Sequence, residues 1–107
     1  MSSERIRQLN DSVRHTFSGA RILVSNGVAA LGDDALGEIL ALVHTYDHFT
    51  PANDPFGEHD FGLISWDGHD LAWKIDYFDM DLAMHSPDPA DPTVTARVLT
   101  IMLAEEM

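Results

Sequence analysis

Apolar side chains at Ile6, Leu9, Val13 and Phe17 fall three or four residues apart, which predicts an amphipathic helix over residues 3–17. Ser2 or Ser3 can cap it, Ser18-Gly19 ends it, and Arg5, Arg7, Asp11 and Arg14 occupy its polar side. A β-rich run follows over 20–25 and closes at Asn26-Gly27, with Val28 to Leu31 read as a second short strand or an apolar loop. Gly32-Asp33-Asp34 opens a second helix, whose two early acids suit the helix dipole. Leu36, Ile39, Leu40 and Val43 form its stripe, and it is expected to end near Thr45.

The clearest pattern lies between residues 61 and 77. Two β-rich runs, Phe61 to Trp66 and His69 to Tyr77, flank Asp67-Gly68, a two-residue turn of the I′ kind. Such a turn sets the register. Trp66 is expected to face His69, Ile64 to face Leu71 and Gly62 to face Trp73, with Gly62 leaving room for the indole. On the other face Ser65 pairs with Asp70, Leu63 with Ala72 and Phe61 with Lys74. Continued pairing would bring His59 opposite Asp76.

Residues 47–60 and 79–92 show neither period. Their prolines, glycine and Asn/Asp pairs mark two structured loops, and loops of such length in a small domain are often functional. Asp91-Pro92 reads as a helix start, and Val94, Val98, Ile101, Met102 and Glu105 share one side of a helix over about 92–105. The expected fold class is therefore α+β: an antiparallel sheet of about three strands packed by three helices, in the order α-β-α-β-β-α, forming one domain over 1–107.

Charge sharpens this picture. The chain of 107 residues carries a formal net charge of −12. Residues 1–21 hold four arginines against Glu4 and Asp11, whereas residues 22–107 hold sixteen acids against Lys74 and Arg97. Such a field repels phosphate backbones, so direct nucleic-acid binding is not expected; a basic protein surface is the natural partner. With no run of eighteen apolar residues and no signal-peptide core, no membrane role is expected and the location is read as cytoplasmic. The absence of cysteine removes thiolate chemistry and fits a reducing compartment.

Four stretches invite comparison with a known family: Asn53 to Gly62, Trp73 to Tyr77, Ser86 to Pro92 and Arg97 to Glu106. In combination, along nearly the whole chain from Leu9-Asn10-Asp11, the sequence resembles a family of small proteobacterial proteins of unknown function. The resemblance implies no catalytic or binding residue. It extends to carriage on mobile elements, which implies an inhibitor of a host defence complex, anti-CRISPR-like in action.

The candidate site residues follow from the loops. Asp54, Glu58, Asp60, Asp67, Asp70, Asp79 and Asp81 place short carboxylates on turns and strand ends, and Phe56 and Met80 supply apolar anchors among them. Fixed carboxylates at that density can copy the spacing of nucleic-acid phosphates and occupy a lysine- and arginine-lined groove on a nucleic-acid-binding complex. The competing reading is a small metal-binding or acid–base domain centred on His59 and Asp76, with Glu58 or Asp79 as further ligands. His44 and His48 stand i, i+4 but lack the intervening glutamate of a zinc protease. No nucleophile elbow, phosphate-cradling loop or cofactor motif is present, so no cofactor or metal is expected, and the chain is read as a monomer or homodimer.

Overall fold

A four-stranded mixed sheet lies at the centre of the computed structural model, which describes residues 2–107. Helix α1 spans Ser2–Thr16, strand β1 Arg21–Val24, helix α2 Asn26–Ala29, helix α3 Asp33–His44, β2 Phe61–Trp66, β3 His69–Phe78 and β4 Ala96–Leu103, with a 3₁₀ turn at Ala104–Glu106. The strand order is β1-β4-β3-β2; β1 runs parallel to β4, and the other two pairs are antiparallel. The α+β class and the count of three helices are as expected, but the third helix is α2 and not a terminal one, and the sheet has four strands and is mixed.

The hairpin forms in the expected register, all six pairs from Phe61↔Lys74 to Trp66↔His69. Asp67 and Gly68 take φ of 48° and 79°, as a turn that follows the strand twist requires. Gly62 is essential to the pairing: a Cβ there would stand 2.4 Å from Trp73 Nε1 and 2.7 Å from Tyr46 Cζ.

Residues 96–103 correct the expectation of a terminal helix. They form β4, the central strand between β1 and β3. Both of its faces are apolar because both are shielded, so the segment lacks the alternation that marks a half-exposed strand. Asp91 caps a turn instead of a helix, accepting from the Thr93 N–H at 2.9 Å and the Thr93 hydroxyl at 2.6 Å. Val28 to Leu31 is neither strand nor loop throughout, since α2 takes residues 26–29 with Ser25 Oγ capping the Val28 N–H.

Leu71, Trp73, Ile75 and Tyr77 alternate onto the sheet face that packs beneath the helices, against Ile6, Val13, Val28, Ala35, Ile39 and Val43. The out-of-phase residues Lys74 and Asp76 leave from the opposite face and pair with each other at 3.1 Å. Among the described residues, no helix is long and apolar enough to cross a membrane.

Candidate functional site

Topology gathers the two long loops at one end of the sheet. The loop before β2 arrives where the loop after β3 departs, because β2 and β3 are antiparallel. The Asp67-Gly68 turn lies at the other end. The candidate acids therefore divide. Asp54, Glu58, Asp60, Asp79 and Asp81, with Phe56 and Met80, belong to the loop end; Asp67 and Asp70 belong to the turn end. Asp70 and Asp76 mark the two ends along β3, six residues or about 20 Å apart.

Within the loop end, Asp54, Glu58 and Asp79 are held by side-chain bonds and Asp60 by its backbone. Asp54 accepts the His59 N–H at 3.2 Å. Glu58 Oε1 accepts the Tyr77 hydroxyl at 2.8 Å. The Asp60 carbonyl accepts the Ile75 N–H at 2.8 Å, which extends the hairpin ladder by one rung. Asp79 caps the Ala83 N–H at 3.0 Å. The Asp60 carboxyl is pushed above its ordinary value, first by burial and then by Glu58, with Asp54 and Asp76 adding to it. Glu58 and Asp54 lie with Asp60 at the loop end, while Asp76 acts from the opposite face of the sheet. Phe56 and Met80 stand 76% and 61% exposed beside these loops. The salt bridges among the described residues join no arginine to the candidate acids; Arg14 pairs with Asp11 at 2.9 Å, and Arg7 reaches only the Gly57 carbonyl.

The proposed pairing of His59 with Asp76 does not occur. His59 has φ of +54°, a conformation that breaks the extended run two residues before β2 and turns the imidazole toward α1. Its Nδ1 meets Asp11 Oδ1 at 2.8 Å, and its ring stacks on Phe49 with centroids 3.7 Å apart and planes at 2°. Asp76 points from the other face of the sheet to Lys74. The acid–base or metal centre built on His59 and Asp76 is not assembled, and no group of three histidine or acidic side chains among the described residues has the geometry to hold a metal ion.

What holds the loop end is a buried polar chain that the apolar stripe of α1 did not disclose. Asn10 is fully buried. Its Nδ2 donates to the Tyr77 hydroxyl at 2.8 Å and to the Glu58 carbonyl at 3.0 Å, while its Oδ1 accepts from Arg97 Nε at 2.9 Å. Arg97 also donates to the Pro89 carbonyl and lies over the Tyr77 ring. Burial drives the Tyr77 phenol far above its ordinary value and lowers that of Arg97. Arg14, likewise buried, donates to the Val43 and Tyr46 carbonyls at 3.2 and 2.9 Å. One face of α1 therefore fastens the 47–60 loop and the end of α3, and Arg97 of β4, held by Asn10, fastens the 79–95 loop. The usable signal was spacing: Asn10 and Arg14 continue the interval of Ile6, Val13 and Phe17.

A family model described as a protein of unknown function (DUF3768) matches residues 24–106. No curated protein and no solved structure matches the chain. The matched span includes Glu58, Tyr77 and Arg97 but not Asn10 or Arg14, so the α1 half of the buried chain lies outside it.

Proposed function

The chain belongs to the DUF3768 family, whose function is unknown, and from the physics of its own loop end we propose an acidic protein-binding module, an inhibitor or adaptor that docks on a basic protein surface. The observation that carries this reading is the gathering of Asp54, Glu58, Asp60, Asp79 and Asp81 at the loop end, where burial first and Glu58 next raise the half-buried Asp60 carboxyl, with no arginine or lysine among their salt-bridge partners in the described residues; Lys74 pairs with Asp76 on the opposite face of the sheet. Carboxylates left in that condition gain when a cation replaces their mutual repulsion. Exposed Phe56 and Met80 give the same end an apolar grip, and the buried Asn10–Tyr77–Arg97 chain keeps it in one shape before binding.

The partner class is a lysine- and arginine-lined groove of a nucleic-acid-handling complex, in which the carboxylates stand in for phosphates. Carriage on mobile elements, implied by the sequence resemblance, would make that complex a host defence effector. The test is a titration of a purified basic DNA-binding domain with the protein at about 50 mM and about 500 mM salt, with duplex DNA as competitor. Binding should weaken steeply with salt and should be displaced by DNA. Neutralising Asp60, Asp79 and Asp81 together should lower affinity at least about tenfold, whereas neutralising the exposed Asp33, Asp34 and Glu38 on α3 should change it less than about twofold. Equal losses from the two triple variants would reduce the effect to net charge and end the proposal.

A further inference from the structure

β2 closes the sheet on one side, last in the order β1-β4-β3-β2. The two-residue turn makes Trp66 and His69 a hydrogen-bonded pair, and such pairs recur at every second residue. Ile64–Leu71, Gly62–Trp73 and Asp60–Ile75 continue the series, the last through the 2.8 Å bond from Ile75 N–H to the Asp60 carbonyl. The N–H and C=O groups of Phe61, Leu63 and Ser65 therefore point away from β3. No backbone bond outside the sheet ladder reaches them among the described residues.

Proteins guard such edges with lysine, proline, a bulge or a covering segment. Residues 61–66 contain no charge and no proline, in a chain with 24 acidic and basic residues. Leu63 stands 58% exposed on this strand. Two hollows touch residues 63–65. One, of about 270 Å³, lies between residues 63–65 and a wall of Leu42, Thr45, Tyr46 and His48. The other, of about 410 Å³, meets the same three residues from the side of Asp70, Ala104 and Met107.

Charge selects the occupant. Asp60 stands just before the strand, Asp67 just after it, and Asp70 lies beside Ser65, whose hydroxyl reaches it at 3.4 Å. The neutral strand is thus bracketed by carboxylates at both ends, about 20 Å apart. A second copy pairing antiparallel about Leu63 would bring Asp60 beside the partner's turn-end acids, like charge against like charge, in a molecule of net charge −12. An extended segment with lysine or arginine at each end meets no such penalty.

We propose that the outer edge of β2 is a strand-docking site that takes an extended, apolar segment flanked by lysine or arginine from a partner protein, adding a fifth strand to the sheet. The docked backbone would bond to Phe61, Leu63 and Ser65, and every second side chain would enter the hollow walled by Tyr46 and His48. This rests on the basic-partner reading above and gives that partner a backbone conformation.

The test uses the full chain, ¹⁵N-labelled, and two synthetic peptides of equal charge. The first has the sequence Lys-Arg-Val-Thr-Val-Thr-Ile-Lys-Arg; the second replaces both threonines with proline. The first peptide should slow amide exchange at Phe61, Leu63 and Ser65 at least tenfold, and the second should bind at least tenfold more weakly. Leu63→Pro removes one outward donor at an edge position, where proline is tolerated, and should lower affinity for the first peptide at least tenfold. Leu63→Lys, at an exposed position that accepts a charge, should do the same and stands in if the proline variant does not fold. Equal binding of the two peptides would overturn strand docking and leave the basic-surface reading standing. Protection of the three amides in the protein alone, growing with its concentration, would assign the edge to a second copy and overturn the proposal. Failure of both peptides to bind at millimolar concentration would overturn it as well, while the DNA-binding-domain titration decides the basic-surface reading independently.

Discussion

Tyr77 donates its hydroxyl to Glu58 at 2.8 Å and takes a hydrogen bond from Asn10 at the same distance, so one phenolic oxygen joins β3, the 47–60 loop and α1. Burial keeps that phenol protonated, which is the state in which it can donate and accept at once. Tyr77→Phe removes the oxygen and leaves buried groups on both sides without it. The expected loss is about 1–3 kcal/mol, the usual cost of orphaning a buried polar partner. Urea unfolding should show the loss with an unchanged slope; a loss indistinguishable from that of an exposed-site variant would mean that the loop is held by other contacts.

Asp60 predicts a pH dependence of definite sign. Its folded pKa is raised above the ordinary carboxyl value of 3.8, by burial first and by Glu58 next. The fold therefore favours the protonated acid. The group's stabilising contribution is full below 3.8 and is lost as pH rises through the higher folded value. Asp60→Asn keeps the neutral state at every pH. It should raise Tm at pH 7 and leave Tm unchanged at about pH 3, where the native carboxyl is already protonated. A Tm gain of the same size at both pH values would show that ionisation is not the cause.

Gly62 carries the sharpest steric prediction. A methyl group there meets the Trp73 indole at 2.4 Å and the Tyr46 ring at 2.7 Å, and Trp73 is fully buried. Neither ring can withdraw without opening the core. Gly62→Ala should cost about 1–3 kcal/mol, the range for overpacking a filled interior, and that corresponds to about 4–8 °C in Tm for each kcal/mol in a chain near this size. Gly37→Ala is the matched control, because its methyl group would meet open space on α3. It should leave Tm unchanged or raise it slightly.

Gly62 also shows where the sequence could be read. The Gly62–Trp73 contact was legible because a two-residue turn at Asp67-Gly68 sets every pair behind it by counting. β4 was not, because a strand covered on both faces loses its alternation; Val98, Ile101 and Met102 then imitate a helical stripe, and only β-branched Val98, Thr100 and Ile101 argued for a strand. Extending the register would set His59 opposite Asp76, and a single positive φ interrupts it. No side-chain pattern signals that φ in a histidine. The acids of the candidate site were legible as residues, but their division between two ends of β3 depended on the path of the loops.

Asn10 gives the strongest prediction for a residue that composition would leave on the surface. It is fully buried in α1 and takes part in three hydrogen bonds, two given and one received. Its oxygen is the side-chain acceptor for Arg97, a buried cation with no carboxylate salt-bridge partner among the described residues. Asn10→Leu is close in size and favours a helix, so on packing and propensity alone it should be neutral. It removes the acceptor from Arg97 and a donor from Tyr77, and both stay buried. The expected cost is about 1.5–3 kcal/mol, the range for a buried hydrogen bond to a charged group. Arg97→Met in the same background should recover part of it, because the stranded charge is then gone. A double-mutant cycle by urea unfolding measures that coupling. Purely additive losses would mean that Asn10 and Arg97 act independently, and that the loop end is held together by something other than this chain of bonds.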